Sequence, residues 1–169
     1  RDPGDALRTS KSVITGKENG PLLASLHSAS EAPGCRSLSR EVRLYHGLDR
    51  VDIVDTLDKI EVREKESGHI AFPFRVPGGV MRMDTGWGFV RPEEDQLAGS
   101  CRDFLCVHSG VDISNEEFGL TWASPDAPLV EPGVLTDERQ NDKGTRSWRE
   151  KTAPGTVLFS YIFNNYWHT

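Results

Sequence analysis

Hydrophobic and polar positions alternate along residues 39–59 in two runs that a short turn separates. Val42 and Leu44 fall on one side of an extended chain in the first run, and Val51 begins the same period of two in the second. Alternation of this kind is typical of a strand with one buried face. Gly47 lies between the runs and can turn the chain at little steric cost. The pattern therefore predicts a long antiparallel hairpin whose apolar face other strands must cover.

Shorter runs with the same period predict further strands on both sides of the hairpin. They lie at residues 12–15, 21–30, 69–74, 80–84, 102–111, 119–124 and 155–164. A cluster of turn residues at 16–20 is expected to end the first of them. Pro73 has no backbone donor, so its strand is expected at a sheet edge or at a bulge. The strands at 102–111 and 119–124 are expected to pair with each other.

Eight or so short strands without a convincing helix favour an all-β fold, an antiparallel sandwich. The 169 residues are enough for one domain with a hydrophobic core, and we expect a single β-sandwich domain over residues 1–169. Residues 85–99 and 131–154 lack a strand pattern and are predicted to be long loops. Loops of that length are uncommon in a compact domain and are often functional.

Composition and charge narrow the classes of partner. The hydrophobic fraction of 36% is ordinary for a globular protein. A net charge of −6 argues against nucleic acid or an acidic membrane as the main partner. No apolar run approaches the ~20 residues that cross a bilayer. Cys35, Cys101 and Cys106 lack C-x-x-C spacing and predict reduced thiols in a cytoplasmic protein, although a single disulfide stays open.

Candidate catalytic carboxylates fall into two groups. They are Glu93, Glu94 and Asp95 in the first long loop and Asp52, Asp55 and Asp58 on the hairpin. Adjacent acids in loops are usually solvated, and the hairpin acids are expected to face water or to pair across strands. None of the five histidines has the spacing of a metal-ligand pair, and the chain contains neither G-x-S-x-G nor a glycine-rich phosphate loop.

Aromatic and amide side chains are concentrated at residues 163–169. Aromatic faces beside amide donors suit sugar binding. In the alternative interpretation, Tyr166 and Trp167 fill a core or a domain interface while the amides bond to backbone in a turn. The same two interpretations apply to Trp87 in the first long loop.

Several motifs follow one another in a characteristic order. They are GPLLA at 20–24, REVRLY at 40–45, LDRVD at 48–52, AFPF at 71–74, RPEEDQL at 91–97, RDF at 102–104, VDISN at 111–115 and NNYWHT at 164–169. Their order resembles the C-terminal β-domain of family 38 glycoside hydrolases, the α-mannosidases, over most of residues 20–169. The resemblance implies a β-supersandwich similar to galactose-mutarotase-like domains. It also implies a parent enzyme that cleaves α-mannosides with retention, using an Asp nucleophile, a carboxylic acid and zinc.

In that family the catalytic groups and the zinc lie outside the C-terminal domain, in an N-terminal α/β domain and the start of a helical bundle. The resemblance therefore implies that this chain is a truncated piece without catalytic residues or metal ligands, and inactive alone. Its partners would be the catalytic α/β domain of the same polypeptide and a mannoside substrate. Asp95, Gln96 and Arg102 are the candidates for the rim of the sugar pocket. Unpaired sheet edges in such a piece would favour a homo-oligomer.

Two other functions stay open from the sequence. A free-standing carbohydrate-binding β-sandwich would line a groove with exposed tryptophans, and the chain offers Trp87, Trp122, Trp148 and Trp167. A mutarotase-like epimerase would need His69 or His108 to face a carboxylate across a pocket.

Overall fold

The computed structural model describes residues 6–135, 139–140 and 146–165. Within this part every regular element is a β-strand and every strand pairing is antiparallel, so the all-β prediction is confirmed. The same described residues contain no helix that could cross a membrane. Contacts divide the chain into two compact units, residues 6–63 and the residues from 64 onward, whereas the sequence predicts a single domain.

One four-stranded sheet forms the unit of residues 6–63. Its strands are β1 (Val13–Asn19), β2 (Leu23–Ser30), β3 (Cys35–Tyr45) and β4 (Val51–Lys59), and they follow one another in this order across the sheet. The predicted hairpin is confirmed, because β3 pairs with β4 and places Leu44 opposite Val51 and Val42 opposite Ile53. Gly47 adopts a φ of 75° in the connection between these strands, which only glycine adopts without strain.

Two expectations for this sheet are wrong. Strand β1 runs through the predicted turn at residues 16–20, because a bulge between Ile14 and Gly16 lets the pairing with β2 continue to Asn19. The apolar face predicted to be covered is partly open, with Leu44 53% and Ile53 41% exposed. Among the described residues of this unit, Ser25 alone is buried.

The described residues of the unit from residue 64 onward form ten strands. They are β5 (Ser67–Phe72), β6 (Val80–Asp84), β7 (Phe89–Val90), β8 (Leu105–Cys106), β9 (Gly110–Ser114), β10 (Gly119–Ala123), β11 (Leu129–Pro132), β12 (Arg139–Gln140), β13 (Arg146–Ser147) and β14 (Leu158–Asn164). One sheet has the order β10-β9-β6-β7 and a second has the order β5-β14-β11-β8, while β12 and β13 form a short ribbon.

Both four-stranded sheets of this unit contribute to one hydrophobic core. Val111 and Ile113 enter it from β9, and Val130 and Leu158 enter it from β11 and β14, all fully buried. The rings of Phe72 and Trp122 meet edge to face at 5.7 Å between the two sheets. Each such buried side chain stabilises the fold by about 1.5–3 kcal/mol. This core makes the unit a two-layer antiparallel sandwich.

The remaining predictions for this unit are met in part. Strand β5 lies at a sheet edge and ends at Phe72, as the following proline predicts. The partner of β10 is β9 rather than a strand at 102–111. The predicted loop at 85–99 contains β7, and the predicted loop at 131–154 contains the end of β11 together with β12 and β13.

Candidate functional site

A groove of about 360 Å³ lies on the outer face of the β10-β9-β6-β7 sheet. Its lining residues are Arg82, Asp84, Phe89, Ser109, Gly110, Asp112, Thr121 and Ala123. Successive side chains of a strand point to opposite faces of the sheet. Met83 and Val111 point into the core, so the residues on either side of them point outward, into the groove. Small ligands bind in concave sites of roughly this size that combine apolar surface with a few polar groups.

Arg82 and Asp112 face each other across paired strands in the middle of the groove. Arg82 Nη1 donates to Ser114 Oγ at 3.0 Å and to Asp112 Oδ2 at 3.4 Å, and Ser114 Oγ donates to the same carboxylate oxygen at 2.7 Å. The side chains of Arg82 and Asp112 remain 42% and 30% exposed. Both therefore keep hydrogen-bonding capacity that a ligand can use.

Asp84 ends strand β6 beside this pair. Its Oδ2 accepts a hydrogen bond from Ser109 Oγ, and its Oδ1 accepts one from the backbone N–H of Gly86 at 2.8 Å. The hydrogen bond from Ser109 lowers the pKa of Asp84, the bond from Gly86 adds to the effect, and the nearby His108 contributes further. Asp84 is thus a fixed, ionised acceptor, and its lowered pKa makes it a poor general base or acid near neutral pH.

Phe89 supplies the aromatic surface of the groove. It pairs directly with Asp84 across β6 and β7 and is 71% exposed, whereas its neighbour Val90 packs against the core. Gly110 lines the groove without a side chain. A larger residue would not fit at this position, because its Cβ would lie 2.2 Å from the carbonyl oxygen of Trp122. The aromatic ring of Phe89 therefore lies in the groove beside a fixed carboxylate.

Arg102, a predicted rim residue, is buried at 3% exposure. Its guanidinium donates to the carbonyl oxygens of Pro92 at 2.8 Å, Ser100 at 3.1 Å and Glu150 at 2.6 Å. These bonds hold the chain around the arginine together. The structure places its charge in the interior of the unit rather than at a rim.

Asp95 and Gln96, the other predicted rim residues, also lie away from the groove lining. Asp95 Oδ2 accepts the backbone N–H of Arg91 at 2.7 Å, and this bond, with the Arg91 side chain, lowers the pKa of Asp95. The Oε1 atom of Gln96 is buried and has no hydrogen-bond partner among the described residues. Asp95 thus stabilises its own turn.

The groove residues were missed because they resemble an ordinary solvent-facing strand. Arg82, Asp84 and Asp112 become neighbours only through the pairing of β6 with β9, which the sequence pattern did not predict. The one available signal was the loop at 85–99, which was predicted to be functional and contributes Phe89 to the groove.

The carboxylates considered as catalytic candidates have structural partners. On the hairpin, Asp58 pairs across strands with Arg36, as expected, and Asp55 pairs across strands with Arg40, whereas Asp52 pairs with Arg50, two positions earlier in the chain. In the first loop, Glu93 accepts hydrogen bonds from the backbone and hydroxyl of Thr152, and Glu94 pairs with Arg91 at 2.7 Å.

The four tryptophans have different environments. Trp122 is 7% exposed and belongs to the core, so it lines no groove. Trp148 is 52% exposed, and its Nε1 donates to the carbonyl of Gly99 at 2.9 Å. Trp87 is fully exposed. Trp167, with the rest of residues 166–169, lies outside the described residues.

His69 meets a carboxylate, as the epimerase alternative requires, but without room for a substrate. Its Nε2 lies 2.7 Å from Glu131 Oε1, and the two side chains are only 13% and 3% exposed. The imidazole stacks on Tyr161 with ring centres 4.4 Å apart. An epimerase needs the sugar between its acid and its base, so this direct, buried contact is better suited to stabilising the sheet.

A serine, a histidine and a glutamate also lie together on β2 and β3. Ser25 Oγ and Glu41 Oε1 approach the same ring nitrogen of His27, Nε2, at 3.2 and 3.7 Å. A hydrolytic triad uses opposite nitrogens of the ring for the nucleophile and the carboxylate. Glu41 is also held by two hydrogen bonds from Arg43, which lower its pKa. We therefore assign this cluster a structural role.

No group of three or more His, Cys, Asp or Glu side chains in the described part of the chain is placed to hold a metal ion. Comparison of the chain with protein-family models, with curated proteins and with solved structures finds no match. The groove and the sequence motifs are consequently the features that bear on function.

Proposed function

We propose that this protein is a non-catalytic carbohydrate-binding β-module and that the groove around Phe89 binds a neutral sugar. The observation that carries the proposal is the 71% exposed ring of Phe89 directly beside the fixed carboxylate of Asp84. Single exposed apolar side chains are common on protein surfaces, but this ring lies in a groove that also contains an arginine and two carboxylates, which suits a ligand with both apolar and polar surfaces.

The chemistry of the groove matches the two kinds of surface on a sugar. The apolar C–H face of a hexose can lie on the ring of Phe89. Its hydroxyl groups can donate to the carboxylates of Asp84 and Asp112 and accept from Arg82. One arginine and two carboxylates leave a formal charge of −1, which does not attract an acidic ligand. A neutral polyhydroxy compound uses all of these groups.

The direction of the Asp84 pKa makes this residue unsuited to be the general acid of a glycosidase. A glycosidase requires one carboxylic acid whose pKa is raised so that it can protonate the leaving oxygen. The hydrogen bonds from Ser109 and Gly86 instead lower the pKa of Asp84. Asp84 then serves as a hydrogen-bond acceptor over a broad pH range.

The narrower form of the proposal follows the resemblance to the α-mannosidases. The sugar is then an α-mannoside, and the chain is the pocket-completing C-terminal β-domain of a larger zinc-dependent enzyme with a supersandwich fold. One observation favours this form, namely that the VDISN motif of the resemblance supplies Asp112 and Ser114 to the groove network.

Sugar titration of the full chain tests the proposal. Methyl α-D-mannoside, methyl α-D-glucoside and methyl α-D-galactoside are added to isotope-labelled protein, and amide shifts are followed by NMR. We expect shifts at Asp84, Phe89 and Asp112, and an affinity about tenfold lower for Phe89→Ala, the equivalent of one aromatic contact. Phe118→Ala is the matched control, because Phe118 is 49% exposed and lies outside the groove lining.

Two results would contradict the proposal. Unchanged groove signals at millimolar concentrations of all three sugars would remove the binding function. Chelator-sensitive turnover of an aryl α-mannoside by the chain alone would remove the non-catalytic assignment. Selective binding of the mannoside among the three sugars would support the narrower form.

A further inference from the structure

Trp87 is an unexplained feature of the hairpin that carries Phe89. It lies in the connection between β6 and β7, at residues 85–88, and its side chain is fully exposed. Turn positions usually hold small or polar residues. The whole ring of Trp87 is therefore available for contact with a ligand.

Hydrogen bonds fix the backbone of the connection that carries Trp87. The backbone N–H and the hydroxyl of Thr85 both donate to the carbonyl of Gly88, at 3.1 and 3.0 Å. The N–H of Gly86 is bonded to Asp84, the same carboxylate that lines the groove. Gly86 has a φ of 82°, so the tight turn requires glycine at this position.

The chain length between the two aromatic residues limits their separation. Trp87 and Phe89 are two residues apart, so their Cα atoms are at most roughly 7 Å from each other. Phe89 lines the groove, and Trp87 lies outside the lining, two positions earlier in the connection between β6 and β7. A ligand that covers Phe89 and extends past one sugar ring in that direction reaches Trp87.

We propose that the site binds an oligosaccharide of at least two hexose units, with one ring on Phe89 beside Asp84 and the next ring on Trp87. This inference rests on the proposed carbohydrate-binding function and extends it to the length of the ligand. Phe89 and Asp84 then recognise one unit, and Trp87 supplies the added affinity for a second.

Calorimetric titration with mannose derivatives of one and two rings tests the inference. The ligands are methyl α-D-mannoside and the α-1,2-, α-1,3- and α-1,6-linked mannobioses. We expect at least one mannobiose to bind about tenfold more tightly than the monosaccharide, the increment of one additional aromatic contact. Trp87→Ala should abolish this gain and leave the monosaccharide affinity unchanged. The emission of Trp87 should respond to that mannobiose and not to the monosaccharide.

Trp148→Ala is the matched control, since Trp148 is an exposed tryptophan that lies outside the groove lining. The gain for the mannobiose should persist in this variant. Equal affinities for one and two rings in the unmodified protein, or a gain that survives Trp87→Ala, would overturn the inference while leaving the proposed function intact. Absence of binding by these sugars and also by methyl α-D-glucoside and methyl α-D-galactoside would overturn both.

Discussion

The two units of this protein use the same alternating pattern with different results. In the unit from residue 64 onward, alternate residues of β9 such as Val111 and Ile113 are fully buried in a core between two sheets. In the sheet of residues 6–63, Leu44 and Ile53 alternate in the same way and remain about half exposed. Alternation thus determines which side chains share a face, but a second layer determines whether that face is buried.

One charged pair from each unit shows a similar difference in exposure. In the sheet of residues 6–63, Arg36 pairs with Asp58, and the side chains are 62% and 53% exposed. In the larger unit, Arg149 pairs with Asp103, and the side chains are only 7% and 10% exposed. An exposed pair contributes little to stability, whereas removing one partner of a buried pair is costly because the remaining charge loses part of its compensation.

The largest expected effect comes from breaking the buried pair. Asp103→Ala removes the carboxylate that accepts a hydrogen bond from the buried guanidinium of Arg149 and should lower the free energy of unfolding by about 3–5 kcal/mol. Urea unfolding followed by tryptophan fluorescence measures it, because all four tryptophans follow residue 64 in the chain. Asp58→Ala removes an exposed partner and, followed by amide NMR signals of residues 6–63, should cost less than about 1 kcal/mol. Similar losses in both variants would contradict the comparison.

A smaller difference in stability is expected between alanine variants of two isoleucines, one from the apolar face of a sheet in each unit. Ile113→Ala opens a cavity in the core and should cost about 2–5 kcal/mol. Ile53→Ala removes a side chain that is already 41% exposed and should cost less than about 1 kcal/mol. Urea unfolding followed by the amide NMR signals of each unit gives both values. An equally large loss for Ile53→Ala would mean that the face of the first sheet is covered in solution.

The smallest effect concerns how salt changes two carboxyl pKa values. Arg43 lowers the pKa of Glu41 through an ion pair, whereas Ser109 and Gly86 lower the pKa of Asp84 chiefly through neutral hydrogen bonds. At about 1 M salt, screening should raise the pKa of Glu41 towards its usual value more than that of Asp84. Side-chain carboxyl NMR measures both titrations.

The sign of the accompanying stability change follows from these lowered values. Each carboxylate stabilises the folded state above its ordinary pKa, and this contribution disappears as the pH falls through the lower pKa of the folded protein. Added salt should therefore weaken the contribution of Glu41 and leave that of Asp84 nearly unchanged. Equal salt responses would show that Asp84 too depends on an ion pair.

Local pattern predicted much of the strand content. The hairpin of β3 and β4 was predicted because its alternation is long and Gly47 separates its two strands. The edge position of β5 followed from Pro73. The predicted end of β1 was wrong, because a bulge between Ile14 and Gly16 lets the strand continue through the predicted turn residues. The predicted strand at 102–111 was wrong over most of its length, since only Leu105–Cys106 and the start of β9 are strand and buried hydrogen bonds to backbone carbonyls hold Arg102.

The candidate site was less predictable than the strands. Arg102 was predicted to lie at the rim of a sugar pocket, but its guanidinium lies in the interior and donates hydrogen bonds to three carbonyl groups. Arg82 and Asp112 are 30 positions apart and meet only because β6 pairs with β9. Sequence periodicity contains no information on that pairing. Phe89 could be predicted only through the length and aromatic content of the loop at 85–99.

The bonds of Arg102 also make distant stretches of backbone depend on one another. Its guanidinium donates hydrogen bonds to the carbonyls of Pro92, Ser100 and Glu150. Its backbone N–H donates to the carbonyl of Arg149. If residues 92–100 or residues 149–150 opened alone, the buried guanidinium of Arg102 would lose hydrogen-bond acceptors that water cannot immediately replace. Local opening of residues 92–100 and of residues 149–150 should accordingly be cooperative, as a single folding subunit.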